Sequence, residues 1–373
     1  MRKKVIAAGH ICLDITPVFY GRKVERPEVL LKPGKLIQMK EADVHTGGSV
    51  ANTGLAMKIL GADVALMGKI GDDAFGKIVL DILKEYHAEE DMLIAKEEST
   101  SYSVILAIPG IDRIFLHNPG ANDIFMSEDI PQEKLEEAAL FHFGYPPIMK
   151  RMYEEEGEEL LRLMQRVKRA GAATSLDLAA VDPTSEAGQA DWEKILEKVM
   201  PYVDIFVPSV EELCFMLDRT GFEDWQSRAA GRDITEILDL EKDIRPLADR
   251  CMKMGAKVLL IKCGVSGMYY RTADIDTLKK TGSRLGLDVQ GWADKDGFEK
   301  SYIPDRVLSG TGAGDTSIAA FLTAMLEGRT LGNSVRLAAA TGASCVEAYD
   351  ALSGLKSFEE LENKITNGWE KVK

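Results

Sequence analysis

LFHF at Leu140 to Phe143, TSL at Thr174 to Leu176 and IFV at Ile205 to Val207 are short apolar runs, separated by amphipathic helical stretches near Gly157 to Ala170 and near Trp192 to Val199. Strand, helix, strand, helix, strand is the rhythm of parallel strands joined by crossover helices. Working outward, Lys257 to Ile261 and Met268 to Tyr270 add strands, while Asp315 to Leu326 and Val335 to Tyr349 read as helices. The expected architecture is α/β and doubly wound: a mainly parallel sheet with helices on both faces. Ligands of such sheets bind beyond the carboxyl ends of the strands.

The N-terminal third breaks this rhythm. Leu36 to Lys40, Ser101 to Ile108 and Arg113 to His117 are strand-like pieces joined by turns such as Pro109-Gly110, with few helices between them. They predict a small β lid, contributed by about 15–45 and 100–120, on a single domain spanning 1–373. Two polar stretches, about 218–243 and 272–300, read as insertions able to shape a partner or substrate surface. The second contains Asp294-Lys295-Asp296-Gly297, but a calcium loop would need ligands where Trp292 and Ile303 stand.

The chain has 373 residues, 45% of them hydrophobic, and a formal charge of -14. That field repels nucleic acid and an anionic membrane alike, so neither is expected as a partner. An anionic ligand then needs a local device such as a helix N-terminus or a bound cation. Five scattered cysteines, with no C-x-x-C pair, signal neither a disulfide framework nor a zinc site and fit a reducing cytoplasm. The basic start at Arg2, Lys3 and Lys4 leads into a first strand, not a signal peptide. No stretch reaches the roughly 18 apolar residues of a membrane span.

Such a device lies at Ser309-Gly310-Thr311-Gly312-Ala313-Gly314-Asp315-Thr316, a glycine-rich turn feeding a helix. Gly312, Ala313 and Gly314 let free helix N–H groups approach an anion, and the helix dipole adds positive charge there. Asp315 would compete with a bound phosphate unless it reacts. As a base it would orient an attacking hydroxyl and take its proton while the N–H groups hold the moving phosphoryl oxygens, which is the logic of a kinase. On this turn alone, a simple helix cap explains Asp315 equally well.

A second glycine-to-helix stretch, His45-Thr46-Gly47-Gly48-Ser49-Val50-Ala51-Asn52-Thr53-Gly54-Leu55-Ala56, puts Asn52 on the apolar face marked by Leu55, Ala56 and Ile59. An unpaired amide there costs roughly 1 to 3 kcal/mol, so a polar group must meet it. A backbone carbonyl or buried water would serve; so would a ligand hydroxyl admitted past Gly47 and Gly48. Asp14, beyond the first strand, is a second candidate hydroxyl acceptor. Gly71-Asp72-Asp73-Ala74-Phe75-Gly76-Lys77 imitates a P-loop, but Ile78 stands where a magnesium-binding hydroxyl is needed. The spacing Gly310-x-Gly312-x-Gly314 is not a dinucleotide fingerprint.

Together these residues resemble the ribokinase-like (PfkB) family of carbohydrate kinases over nearly the whole chain. Two motifs carry the likeness: Gly47 to Gly76, through Gly48, Asn52, Gly54, Gly61, Gly68, Asp72-Asp73 and Phe75-Gly76, and Gly312-Ala313-Gly314-Asp315 with its helix. The resemblance implies a doubly wound body with a β lid, the sugar between them, and ATP along the C-terminal half. It implies Asp315 as base, Gly312, Ala313 and Gly314 as anion hole, and Asp14, Gly47, Gly48, Ser49 and Asn52 as holders of substrate hydroxyls, with Asn122 as a lid contact. Ser209 and Glu212 match the element that organises Mg2+ with ATP, Glu212 acting through water, and Lys262, Gly264 and Gly267 match a nucleotide-binding turn.

Three departures accompany the match. Ser209 replaces an Asn; Ser309-Gly310 replaces Asp-Thr in the region tied to a monovalent cation; Lys262 replaces a Thr and either touches phosphate or faces solvent. Asp177-Leu178-Ala179-Ala180-Val181 stands where sugar-acid kinases carry Asp-x-Asn-x-Arg, which disfavours an anionic acceptor. Neutral sugars, nucleosides and inositol stay open, and Phe143 and Tyr145 either stack on a base or pack. The other readings are a catalytically impaired binding or regulatory protein on the same fold and a vitamin kinase, which lacks the Gly47-Gly48 and Asn52 logic. A homodimer through the β lid is a further expectation.

Overall fold

Val5, Ile6, Ala7 and Ala8 are all buried, although successive side chains point to opposite faces, so this strand is covered on both sides. The computed structural model describes residues 3–21, 23–111 and 113–373; Met1, Arg2, Arg22 and Asp112 lie outside the described residues, the last two within the stretches expected to form the lid. The strands are β1 (Lys4–Gly9), β2 (Cys12–Pro17), β3 (Ala42–Gly47), β4 (Asp63–Gly71), β5 (Leu93–Ala95), β6 (Tyr102–Leu106) and β7 (Ile114–Asn118), then β8 (Ala138–Gly144), β9 (Ala173–Asp177), β10 (Ile205–Phe206), β11 (Val258–Lys262), β12 (Gly267–Thr272) and β13 (Asp296–Lys300). Nine form one sheet in the order β13-β12-β11-β10-β9-β8-β1-β4-β5. It is parallel from β11 to β5, and β12 and β13 add antiparallel strands at one edge.

Each face has its own apolar core. Phe141 and Phe143 pack with Leu160, Leu163 and Met164 on one side; Val5, Ala7 and Leu140 pack with Leu55, Ile318 and Phe321 on the other. The second face changes character along the strands. β8 and β9 pair in the register Leu140 with Ala173, His142 with Ser175 and Gly144 with Asp177, and β11 runs Val258, Leu260, Lys262 on the same side. Apolar residues fill the middle and polar ones the carboxyl ends, where the helices Ser49–Ile59 and Ala313–Leu326 lie against one another.

β2, β3, β6 and β7 make a separate four-stranded sheet in the order β3-β2-β6-β7. Only His10 and Ile11 separate β1 from β2, so the two sheets join just above the carboxyl end of β1. The strand expected at Leu36 to Lys40 does not form. Leu36 is 89% exposed and has no surface to cover, and the strand begins instead at Ala42, where pairing with Pro17 starts. The helix expected from Val335 to Tyr349 is Leu331–Cys345, because the Thr330 side chain accepts the Asn333 N–H and caps it earlier.

The two polar stretches expected to be insertions lie at opposite ends of the strands. Residues 233–235 close over Gly264, where an added Cβ would meet Thr235 Oγ1 at 2.5 Å. Residues 274–292 instead pass under the amino ends of β8 and β9. Arg284 donates to the carbonyls of Ala138 and Leu135 at 2.7 and 2.9 Å, and the Gly282 N–H donates to Asp204 Oδ2 at 3.2 Å. This stretch closes the bottom of the sheet and shapes no ligand surface at its top. Trp292, 1% exposed, anchors it against Phe321. Trp292→Ala therefore costs about 3–5 kcal/mol of stability. Urea unfolding reads the loss, and the KM for ATP stays at its wild-type value; a loss under about 1 kcal/mol would show that the stretch is not a structural strap.

Candidate active site

Asp315 stands in the first turn of the helix Ala313–Leu326, behind a turn only glycine can make. Gly312 takes the left-handed conformation (φ 72°), and a Cβ there would lie 2.2 Å from that of Ala351. The preceding residues are tied down: the Thr311 N–H donates to Ser309 Oγ at 3.1 Å and the Ala313 N–H to the Gly310 carbonyl at 3.4 Å. The N–H groups of Gly314 and Asp315 have no partner within the helix, and both residues border a cavity.

Asp315 is 5% exposed and three donors converge on it. Asn52 Nδ2 reaches Oδ2 at 3.0 Å, Thr53 Oγ1 reaches Oδ1 at 3.3 Å, and the Tyr145 hydroxyl stands 2.8 Å from each oxygen. Burial lifts the carboxyl's pKa above the usual range, and the Lys262 ammonium and these donors offset only part of the lift. The polar partner demanded by Asn52 is thus the carboxylate of a neighbouring helix, and Asn52 also borders a cavity.

Lys262 is not a solvent-facing lysine. Its Nζ donates to Asp177 Oδ1 at 2.7 Å, and its stem passes beneath Gly314, 3.5 Å from where a Cβ would stand. Burial pulls its pKa down, but Asp177, Glu212 and Asp315 together hold it above the ordinary value. Burial pushes the Asp177 carboxyl up to about 8. Among the described residues none hydrogen-bonds to Asp177 Oδ2.

Two cavities meet at Asp315. One, of about 810 Å³, is lined by Cys12, Asp14, Gly48, Asn52, Ser103 and His117 beneath the small sheet. The other, of about 800 Å³, is lined by Ser209, Glu212, Lys262, Gly264, Gly267, Gly312, Ala313 and Gly314, with Val307, Ala339 and Val346 at an apolar end. Tyr145, Glu212, Gly310, Gly312 and Asp315 border both. Ser209 caps the helix Val210–Leu217 in a reciprocal box: it accepts the Glu212 N–H at 3.3 Å and donates its own N–H to Glu212 Oε2 at 2.9 Å. That exchange orients the Glu212 carboxylate at the cavity wall.

Three expected contacts fall outside the cavity walls. Gly47 lies behind Asp14, where an added Cβ would sit 2.1 Å from Oδ2. Ser49 is fully buried, and its Oγ turns toward Gly144. Asn122 is fully buried too, and its amide clasps the backbone of Ile11, accepting at 3.1 Å and donating at 2.9 Å. The P-loop-like stretch has a structural role, in which Asp73 caps the helix Ala74–Glu85 through the Gly76 N–H and accepts from Thr100. Thr53 was not among the expected site residues, and Tyr145 was expected to stack on a base or to pack, not to donate to Asp315. Tyr145 alone left a trace, since it directly follows a strand's carboxyl end, where such sheets gather function.

The sequence profile of the pfkB family carbohydrate kinases matches residues 3–357. An uncharacterized sugar kinase of Archaeoglobus fulgidus is 25% identical over 301 residues, covering 81% of this chain and 98% of that protein. The ribokinase of Arabidopsis thaliana is 26% identical over 333 residues, covering 88% and 74%. The solved structure of the Arabidopsis thaliana ribokinase with ribose and ATP superimposes with a TM-score of 0.69 at 20% identity, covering 97% of this chain and 98% of that one.

Proposed function

This chain belongs to the pfkB family of carbohydrate kinases and is an ATP-dependent sugar kinase, and from that premise we propose how its two cavities divide the work. The sugar occupies the cavity of Asp14, Gly48 and Asn52, under the small sheet acting as a lid. ATP occupies the cavity of Ser209, Lys262, Gly264 and Gly267, with its base at the apolar end and its γ-phosphate toward Gly314. The observation that carries this reading is the position of Asp315, on the border of both cavities and beside the free N–H groups of a helix N-terminus.

Asp315 accepts the proton of the attacking hydroxyl, whose oxygen bonds to the γ-phosphorus as the bond to ADP breaks. The N–H groups of Gly314 and Asp315, with the Lys262 ammonium below, hold the charge of the moving phosphoryl oxygens. Mg2+ neutralises phosphate charge in such transfers. Among the described residues no group of three or more His, Cys, Asp or Glu could hold a metal by itself. The Glu212 carboxylate suits an ion bound mainly by phosphates and water. Asn122 and Ser49 support the sugar cavity from behind without lining it.

Among the described residues no helix is long and apolar enough to cross a membrane. All five cysteines are free and buried, which fits a reducing cytoplasm. Phe115 and Leu116 stand exposed on β7 and favour pairing of two lids in a homodimer. ADP release with D-ribose, D-fructose, myo-inositol and nucleosides, with and without potassium, tests the assignment of the cavities. At least one acceptor should raise release well above that of ATP alone. Tight ligand binding with no turnover on any acceptor would make this fold a binding protein.

A further inference from the structure

The three donors on Asp315 differ in how they are held. Asn52 and Thr53 stand on one turn of the helix Ser49–Ile59, packed against the helix that carries Asp315. Tyr145 follows β8 in a left-handed backbone (φ 69°), uncommon for an aromatic residue, and it borders both cavities. A carboxylate offers about four lone-pair sites. Asn52 takes a site on Oδ2 and Thr53 one on Oδ1, and the single Tyr145 proton, its oxygen 2.8 Å from both carboxylate oxygens, is shared between them. Of the three donors Thr53 lines neither cavity, Asn52 lines the first and only Tyr145 borders both, so its hydroxyl stands between the carboxylate and a hydroxyl arriving from that border.

The Tyr145 contact has the geometry that an acceptor needs. It is an alcohol-type O–H, 2.8 Å from the carboxylate, on the border between the two cavities. We propose that Tyr145 is a positioning residue whose hydroxyl occupies the acceptor's place on Asp315 in the sugar-free protein, keeps water off the base, and is displaced by the sugar hydroxyl. The inference rests on Asp315 being the base. Burial, with the charges of Asp315 and Asp177, raises the pKa of the phenol well above its ordinary value, so it remains a donor. Without that hydroxyl a water molecule gains access. Its oxygen bonds to the γ-phosphorus, its proton passes to Asp315, and ADP leaves.

The test is ATP hydrolysis by Tyr145→Phe with Mg2+ and no sugar, read as ADP release across pH. We expect release about tenfold above wild type, a modest share of what a freed general base can supply. The acid limb of this hydrolysis should also move up by about one pH unit, since a donor to the ionised form is lost. The other groups facing Asp315, namely Lys262 on β11, Asp177 on β9, Glu212, Asp14 on β2 and Cys345, are unchanged in the variant. Tyr145→Leu, which also lacks the hydroxyl, serves if the first variant folds poorly. Hydrolysis at or below the wild-type rate, or an unmoved acid limb, overturns the proposal. The double variant Tyr145→Phe/Asp315→Asn separates the two readings: hydrolysis as fast as in Tyr145→Phe alone means that Asp315 is not the base.

Discussion

Asp315→Asn lowers kcat by about 10²- to 10⁴-fold, the usual worth of a positioned general base, while the KM for ATP changes only a few-fold. Asparagine keeps the side chain's shape but cannot take the acceptor's proton. The anion hole and both cavities stay, so binding survives and turnover does not. To act as the proposed base Asp315 must be ionised, and burial has raised its pKa. Turnover therefore falls as pH drops through a value above the ordinary aspartate range of about 3.9. The linkage to stability has the opposite sense. A carboxyl whose folded pKa is raised stabilises the fold fully below about pH 3.9, and that contribution is lost as pH rises through the folded value. The ionised base is a strained guest at working pH. Steady-state kinetics across pH checks both parts, and a variant turning over within threefold of wild type would remove Asp315 from the mechanism.

Lys262→Met should unfold the protein more readily than any other single change in the site. Among the described residues the Lys262 ammonium is the cation bonded to Asp177, and Asp177 Oδ2 already lacks a partner. Breaking a buried pair from one side costs about 3–5 kcal/mol, because the remaining charge is left in a dry environment. Glu212 and Asp315 sharpen the penalty, since both repel the Asp177 charge. Asp177's folded pKa is already raised to about 8, and losing the lysine raises it further. The deficit is accordingly largest at alkaline pH and narrows as pH falls and Asp177 takes up a proton. Denaturant unfolding at pH 8 and pH 6 measures this. The double variant Lys262→Met/Asp177→Asn should recover most of the loss, and a single variant as stable as wild type at pH 8 would show that the pair is not electrostatically coupled to folding.

How much of this was legible beforehand differs by element. The parallel body was, because runs such as Leu140 to Phe143 and Thr174 to Leu176 carry their own strand signal and the helices between them carry theirs. The turn at Gly312–Asp315 was also legible, since glycine before a helix has few purposes. The small sheet was read less well. Its strand at Ala42–Gly47 is half polar, and Leu36 drew the reading to a segment with nothing to cover. The partners of Asp315 were out of reach for a different reason. Asn52, Thr53, Tyr145 and Lys262 come from distant places in the sequence, and only the packing of two helices over β8 and β11 brings them together. Asn122 shows the converse: a polar residue in a suggestive loop can be spent wholly on backbone.

The stretch under the sheet has a bearing on how such a protein can vary through descent. Arg284 and Gly282 hold the amino ends of β8 and β9, whereas Asp177 and Lys262 stand at the carboxyl ends, about five residues or roughly 16 Å along the strands. Mutations at the lower edge reach the chemistry only through rigid strands. A lineage can therefore alter length and composition there, exploring new sequences under a stability constraint alone, while the acceptor preference evolves independently at the upper edge.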